Sequence, residues 1–169
     1  MEKKYTVFRY LAYSLEILLF YILQGTPIIF PEILGGRPVL LIPIALTVAF
    51  FEGEIPAMFF GLACGGLIDI GTGGSIGFYT FMLTLICFII SNIFRDYMVI
   101  NFLNGMAFCG GVITGLICLQ FLFFYVFQGR IDAGLYFVQH YISRIIYTVL
   151  MSPVFYVINK YLYKNLRDR

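Results

Sequence analysis

The chain has 169 residues, of which 61% are hydrophobic and 12% charged, with a mean hydropathy of +0.92 and a net charge of +2. Soluble domains carry roughly 25% charged residues, so this composition does not cover a water-exposed surface, and lipid is the solvent it suits. A charge of +2 gives no basis for nucleic-acid binding, and the continuous apolar runs exclude the ~10-residue alternating strands of a membrane β-barrel.

At ~20 residues per crossing, the length holds about six helices in a single membrane domain, residues 1–169. The first apolar run predicts a helix over 8–29. The preceding Met-Glu-Lys-Lys imitates a signal peptide, but the run outlasts one and no small-x-small cleavage site follows, so an uncleaved helix is expected. Gly25, Thr26 and Pro27 disturb its end, and Pro31 closes it. Glu16 lies about a third of the way across. An ionisable group at that depth costs at least ~2.5 kcal/mol unless it faces protein or water. It reads either as an inward carboxyl satisfied by a neighbouring tyrosine or backbone, or as a binding group.

After a short turn-rich loop, the second helix covers 39–51. At ~1.5 Å per residue it is about 20 Å long, short of a ~30 Å hydrocarbon core, and it carries Pro43. It is expected to span incompletely, with protein covering its ends. A polar turn leads into the third helix, 55–70, where Glu54 and Pro56 suit a first turn. Ala57, Gly61, Gly65 and Asp69 are four apart and share one face. Gly71 to Ser75 looks like a phosphate loop but lacks the Gly-Lys-Ser/Thr that holds phosphate and magnesium. It is read as a turn between closely packed helices. The fourth helix, 76–94, ends at the charged pair Arg95 and Asp96. The fifth, 102–127, repeats the small-residue spacing at Ala107, Gly111 and Gly115. A polar loop over 128–134 precedes the sixth helix, 135–159, and a basic tail, 161–169.

With six helices both termini share a side. That side holds eight of the eleven Lys and Arg residues, the other holds Arg37 and Arg130, and Arg144 lies within the sixth helix. The positive-inside rule then places both termini in the cytoplasm. Cys64, Cys87, Cys109 and Cys118 all lie in apolar runs and read as small buried hydrophobes.

Arg144 is the costliest residue to bury. By ~1.5 Å per residue, Asp69 and Arg144 come within about 5 Å of the same depth in the outer half of the bundle. Each alone would be an expensive charge, so the two are expected to pair as a structural polar pair. Glu16 and His140, the latter one turn before Arg144, are candidates to extend that network. A ligand or proton site at the pair, and Asp69 capping the glycine-rich turn without Arg144, are the alternatives. Lipid tails are as apolar as leucine, so membrane helices associate through close approach at small residues. The Ala57/Gly61/Gly65 and Ala107/Gly111/Gly115 faces, with Gly77, are read as packing positions inside the protein or as a dock for a partner's helix. Enzyme signatures such as Gly-x-Ser-x-Gly and His-Glu-x-x-His do not occur. One histidine gives no basis for a histidine-built metal site, and no catalytic residue, metal or cofactor is assigned.

The run from Gly61 to Asp69, followed by Gly74-Ser75-Ile76-Gly77-Phe78-Tyr79, resembles the rod-shape-determining membrane protein MreD family. That family has a Gly-x-x-x-Gly-x-x-x-Asp helix, a small-residue turn, and a Gly-containing start to the next helix. Glu16, the short helix after Arg37, Arg144, and Ser152-Pro153 before a basic tail add to the likeness. The resemblance implies a non-enzymatic protein of the bacterial inner membrane that binds the bitopic protein MreC. It would belong to the elongation machinery that links MreB filaments to lateral peptidoglycan synthesis by a glycosyltransferase and a penicillin-binding transpeptidase. It also implies a six-helix all-α fold like that of the substrate-binding subunits of energy-coupling-factor transporters. A vitamin-binding subunit of such a transporter is the competing expectation. Those subunits present an Ala-x-x-x-Ala face on helix 1, whereas this helix 1 is bulky.

Overall fold

The computed structural model describes residues 2–26, 36–72, 77–96, 102–126 and 140–167. Six α-helices account for nearly all of them: α1, Glu2–Gly25; α2, Leu41–Phe51; α3, Glu54–Thr72; α4, Phe78–Asp96; α5, Phe102–Phe121, continued by a π turn over Leu122–Val126; and α6, Ile142–Arg167. Four helical segments are long and apolar enough to cross a membrane: Thr6–Gly25, Glu54–Thr72, Phe102–Phe124 and Ile142–Asn165. The molecule is an all-helical membrane protein.

The core is α2. Every residue from Leu41 to Phe50 is buried, and α2 touches all five other helices. Its sequence has no polar face, which is the pattern of a helix surrounded by protein. Around it the chain runs α1 against α3, α3 against α4, α5 against α6, and α6 back against α1. Aromatic contacts join α4 to α5, including Phe94 against Phe108 at 5.3 Å between ring centroids.

Because α2 is short, its unsatisfied end groups lie inside the bundle and need protein partners. Neighbouring helices supply them. The Val39 amide donates to Thr148 Oγ1 (3.1 Å) on α6, and the Leu40 amide donates to Gln24 Oε1 (3.0 Å) on α1. At the other end, Ser91 Oγ on α4 donates to the Glu52 carbonyl (2.8 Å). Midway, Asn159 Nδ2 donates to Thr47 Oγ1 (2.8 Å), both residues fully buried. In α6, Pro153 cannot donate to the carbonyl four residues back, and the Ser152 hydroxyl donates to Val149 O instead (2.7 Å).

The pair α3 and α4 is the closest in the fold. A Cβ at Gly65 would stand 2.5 Å from Thr80 Cα, and one at Gly61 would stand 2.9 Å from Leu83 O. No larger residue allows these two backbones to meet, so the Ala57/Gly61/Gly65 face is spent inside the protein. Gly77 has a different task from the packing expected of it. Its φ is +91°, and nothing lies within 4 Å of where its Cβ would be. It turns the chain into α4 through a conformation that side chains disfavour.

Several boundaries differ from the sequence reading. Helix α1 starts at Glu2, ahead of residue 8, and the residues expected to continue it, 27–29, lie outside those described. Helix α3 runs through Gly71 to Thr72, and α4 includes Arg95 and Asp96, which had been read as a turn. Helix α6 runs on to Arg167 through the supposed tail, because Tyr163 packs on Phe51 at 5.5 Å and extends the buried face by another turn. The start expected for that helix, 135–139, the loop 128–134, and most of the glycine-rich turn, 73–76, lie outside the described residues.

The fifth helix faces the other way from the expected register. Its buried positions are Gly105, Cys109, Ile113, Leu116, Ile117 and Gln120. Gly105 takes the ring of Tyr156 on α6, with a would-be Cβ 3.1 Å from it. Ala107, Gly111 and Gly115 are exposed, with open space beyond both glycines.

Candidate functional site

Polar side chains gather at the two opposite ends of the bundle. At the end carrying both termini, Arg9 of α1 forms a two-point ion pair with Glu52, which follows α2, and Arg9 Nη2 to Glu52 Oε2 is 2.9 Å. The guanidinium also lies over the Tyr163 ring at 5.2 Å, closing the gap between α1, the α2–α3 turn and α6. Burial raises the Glu52 carboxyl above its ordinary value, and the Arg9 charge and hydrogen bond pull it back. This pair was not anticipated. The depth argument applied to Asp69 and Arg144 would have matched Arg9 to the turn after α2 equally well.

At the other end, Asp69 closes α3. It is buried, and its carboxylate accepts four hydrogen bonds from the start of α4: the amides of Gly77 (3.1 Å), Tyr79 (3.1 Å) and Thr80 (2.9 Å), and the Thr80 hydroxyl (2.6 Å). The first amides of a helix have no partner within it and carry partial positive charge. Asp69 caps α4 from the neighbouring helix, and the close approach at Gly65 brings it within reach. The expected ion pair with Arg144 does not form, and among the described residues the ion pair present is Arg9 with Glu52. Depth matching carries no information on which way each residue points around its helix. Tyr79 continues from the cap: its hydroxyl hydrogen-bonds Gln120 of α5, both residues buried.

Arg144 instead faces a cavity of about 680 Å³. The last turns of α1 contribute Tyr21, Ile22 and Gln24, the segment entering α2 contributes Gly36 to Val39, the end of α3 contributes Leu67, Ile68, Gly71 and Thr72, and the start of α6 with the two residues before it contributes His140, Tyr141 and Arg144. Gly36 sets the geometry. A Cβ there would stand 2.9 Å from the Arg144 amide nitrogen and 2.9 Å from the His140 carbonyl, so only glycine lets the entry to α2 lie directly on the first turns of α6. Arg144 Nε is buried without a hydrogen-bond partner. Arg37 and Arg144 both line the cavity, and among the described lining residues there is no carboxylate.

Glu16 stands apart from that cavity. It is buried against α3 near Cys64, and neither carboxyl oxygen has a hydrogen-bond partner. The expectation that a tyrosine satisfies it is not met, since Tyr13, one turn earlier, is turned toward Glu52. Of the proposed network, His140 and Arg144 therefore share the cavity, while Asp69 and Glu16 serve elsewhere.

No protein-family model, curated protein or solved structure matches this chain. What the arrangement can do chemically follows from its own residues. The described residues include no cluster of three or more His, Cys, Asp or Glu able to hold a metal ion. The cavity offers fixed positive charge, aromatic walls at Tyr21 and Tyr141, and apolar surface at Ile22, Val39, Leu67 and Ile68.

Proposed function

We propose that this protein is a non-enzymatic membrane adaptor of the bacterial cell-elongation machinery, of the MreD kind, with six crossings of the plasma membrane and both termini cytoplasmic. It docks a bitopic partner of the MreC kind and helps couple MreB filaments to lateral peptidoglycan synthesis. Besides the sequence resemblance, one observation supports this reading above others: the contrast between the two small-residue faces. The face on α3 is consumed by α4. The face on α5, Ala107, Gly111 and Gly115, is open along two turns, and a smooth open helix face is what a second transmembrane helix needs for close approach. Its neighbours along the exposed side, Leu103 and Leu119, extend it with apolar surface.

Depletion of the protein with imaging of cell shape is the decisive test. Rounding or swelling of rod-shaped cells is the expected result. Co-purification of a bitopic partner should be lost in Gly111→Leu and Gly115→Leu while the thermal unfolding midpoint stays within that of the wild type. The cavity favours a second reading, a vitamin-binding subunit of an energy-coupling-factor transporter, whose fold the resemblance also implies. Against it stands the outward face of α1, where Leu11, Leu15 and Leu18 are all exposed and bulky. Normal cell shape with a defect in vitamin uptake would select that reading over the adaptor.

A further inference from the structure

Three buried carboxyl groups stand among the described residues, and the chain treats each differently. Glu16 and Glu52 are 7% exposed and Asp69 is 6% exposed. Glu52 has the guanidinium of Arg9 against it. Asp69 accepts three amides and a hydroxyl from α4. Glu16 has neither kind of support, since both its oxygens are buried without a hydrogen-bond partner. Its surroundings offer no cation. On its own helix the nearest titratable group is Tyr13, which is turned toward Glu52 and the Arg9 beyond it. From α3 it meets Cys64, fully buried. The sequence of α2, Leu41–Phe51, contains no titratable side chain. On α6, Phe155 packs against Phe20 of α1, the Tyr156 ring is turned to Phe50 and Phe102, and Asn159 is bonded to Thr47.

We infer that Glu16 is an intramembrane proton-binding site, its carboxyl held by the fold as the neutral acid. An anion taken out of water into an apolar bundle is tolerated only with a counter-charge or with donors to its oxygens. Glu52 and Asp69 show what this chain builds where it keeps a carboxylate. Around Glu16 it builds neither, so the counter-charge is a proton. A metal ion is a poorer occupant. A hard cation needs several oxygen ligands, the facing group on α3 is a thiol, and the described residues hold no cluster of three or more His, Cys, Asp or Glu. The site also bears on how α1 is held. Loss of the proton would leave an unpaired anion between α1 and α3, so occupancy of the site and the seating of α1 are linked.

The site stands independently of the adaptor reading. Its test uses the purified full chain in phosphatidylcholine nanodiscs at neutral pH, by infrared difference spectroscopy of the wild type against Glu16→Gln. The expected result is a carboxylic-acid C=O band present in the wild type and lost in the variant, which shifts to lower frequency in D₂O because its hydrogen exchanges. Glu54→Gln, at a partly exposed position at the start of α3, should leave that band in place. The amide of glutamine is neutral and nearly the shape of the acid, so Glu16→Gln should also keep the wild-type unfolding midpoint. If it does not fold, Glu16→Asp carries the test, with the acid band moved in frequency. Loss of the paired carboxylate bands in Glu16→Gln, with no acid band lost, overturns the site. An acid band unmoved by either substitution overturns it too. Partner capture on α5 reads a different helix, so the two readings fail separately.

Discussion

The two ends of this bundle treat the same problem in opposite ways. Each end carries an arginine in a protein whose interior is mostly apolar. Where the termini lie, Arg9 is paired twice with Glu52 and covered by Tyr163, so charge, donors and ring surface are all matched within the chain. At the far end, Arg144 fronts a cavity and the one buried carboxylate nearby is turned to the amides of α4. The first arrangement is complete as it stands and does the work of a clasp joining α1, the α2–α3 turn and α6. The second leaves its arginine without an ion pair among the described residues. The same residue types make a clasp only where packing turns the carboxylate toward the arginine.

The largest effect should come from breaking the clasp. Glu52→Ala leaves Arg9 buried beside an empty position, and removal of one partner of a buried pair costs about 3–5 kcal/mol. Unfolding in mixed micelles of increasing SDS measures it. The double variant Arg9→Met with Glu52→Met should recover most of the loss, because apolar replacement of a whole buried pair is close to neutral. If Glu52→Ala alone is silent, the clasp contributes nothing and the contrast between the ends disappears.

The next effect concerns the frame that carries the far end. Gly65→Ala drives a methyl group to 2.5 Å from Thr80 Cα, where the neighbour is backbone and cannot swing aside. A cost of about 3 kcal/mol is expected, the upper part of the range for overpacking. Gly111→Ala, at the same spacing on α5, meets open space and should shift stability by less than about 1 kcal/mol, in the favourable direction. Equal losses at the two glycines would show that the α5 face is covered in the protein.

These two glycines also mark how far the sequence could be read. The all-helical class, the number of helices and the shortness of α2 follow from run length and hydropathy, and the observed α2, Leu41–Phe51, lies within the expected 39–51. The α3 face was legible because Asp69 gives that helix a polar end to its small-residue row. Helix α5 has no such marker. Gly105, Gly110, Gly111 and Gly115 offer several registers, the helix is apolar all round, and only the ring of Tyr156 against Gly105 decides which way it turns. The polar contacts failed for a related reason. Rise per residue gives height along an axis, but the angle around the axis is fixed by packing with helices distant in sequence. Arg9 and Glu52, 43 residues apart, needed that same long-range information.

Asp69→Asn tests the capping role on its own. The amide keeps the shape of the carboxylate but loses its charge and turns an NH₂ toward amide donors. Loss of charge-assisted bonds at a buried site is worth about 2 kcal/mol. If Asp69 served Arg144 instead, Asp69→Asn with Arg144→Gln would cost less than Asp69→Asn alone. Additive losses are the expected outcome, since the two share no partner.

The smallest effect on stability, and the sharpest on the comparison, is Arg144→Gln. Glu52→Ala uncovers a buried charge, whereas Arg144→Gln removes one that has no ion-pair partner among the described residues. The desolvation cost of the guanidinium disappears, and the packing of its hydrocarbon stem is kept in part by glutamine. The change should stay within about 1 kcal/mol and tend toward stabilisation. Unfolding in the same mixed micelles measures it. A variant that is strongly destabilised would mean that Arg144 is a structural residue, and that the two ends of the bundle are alike after all.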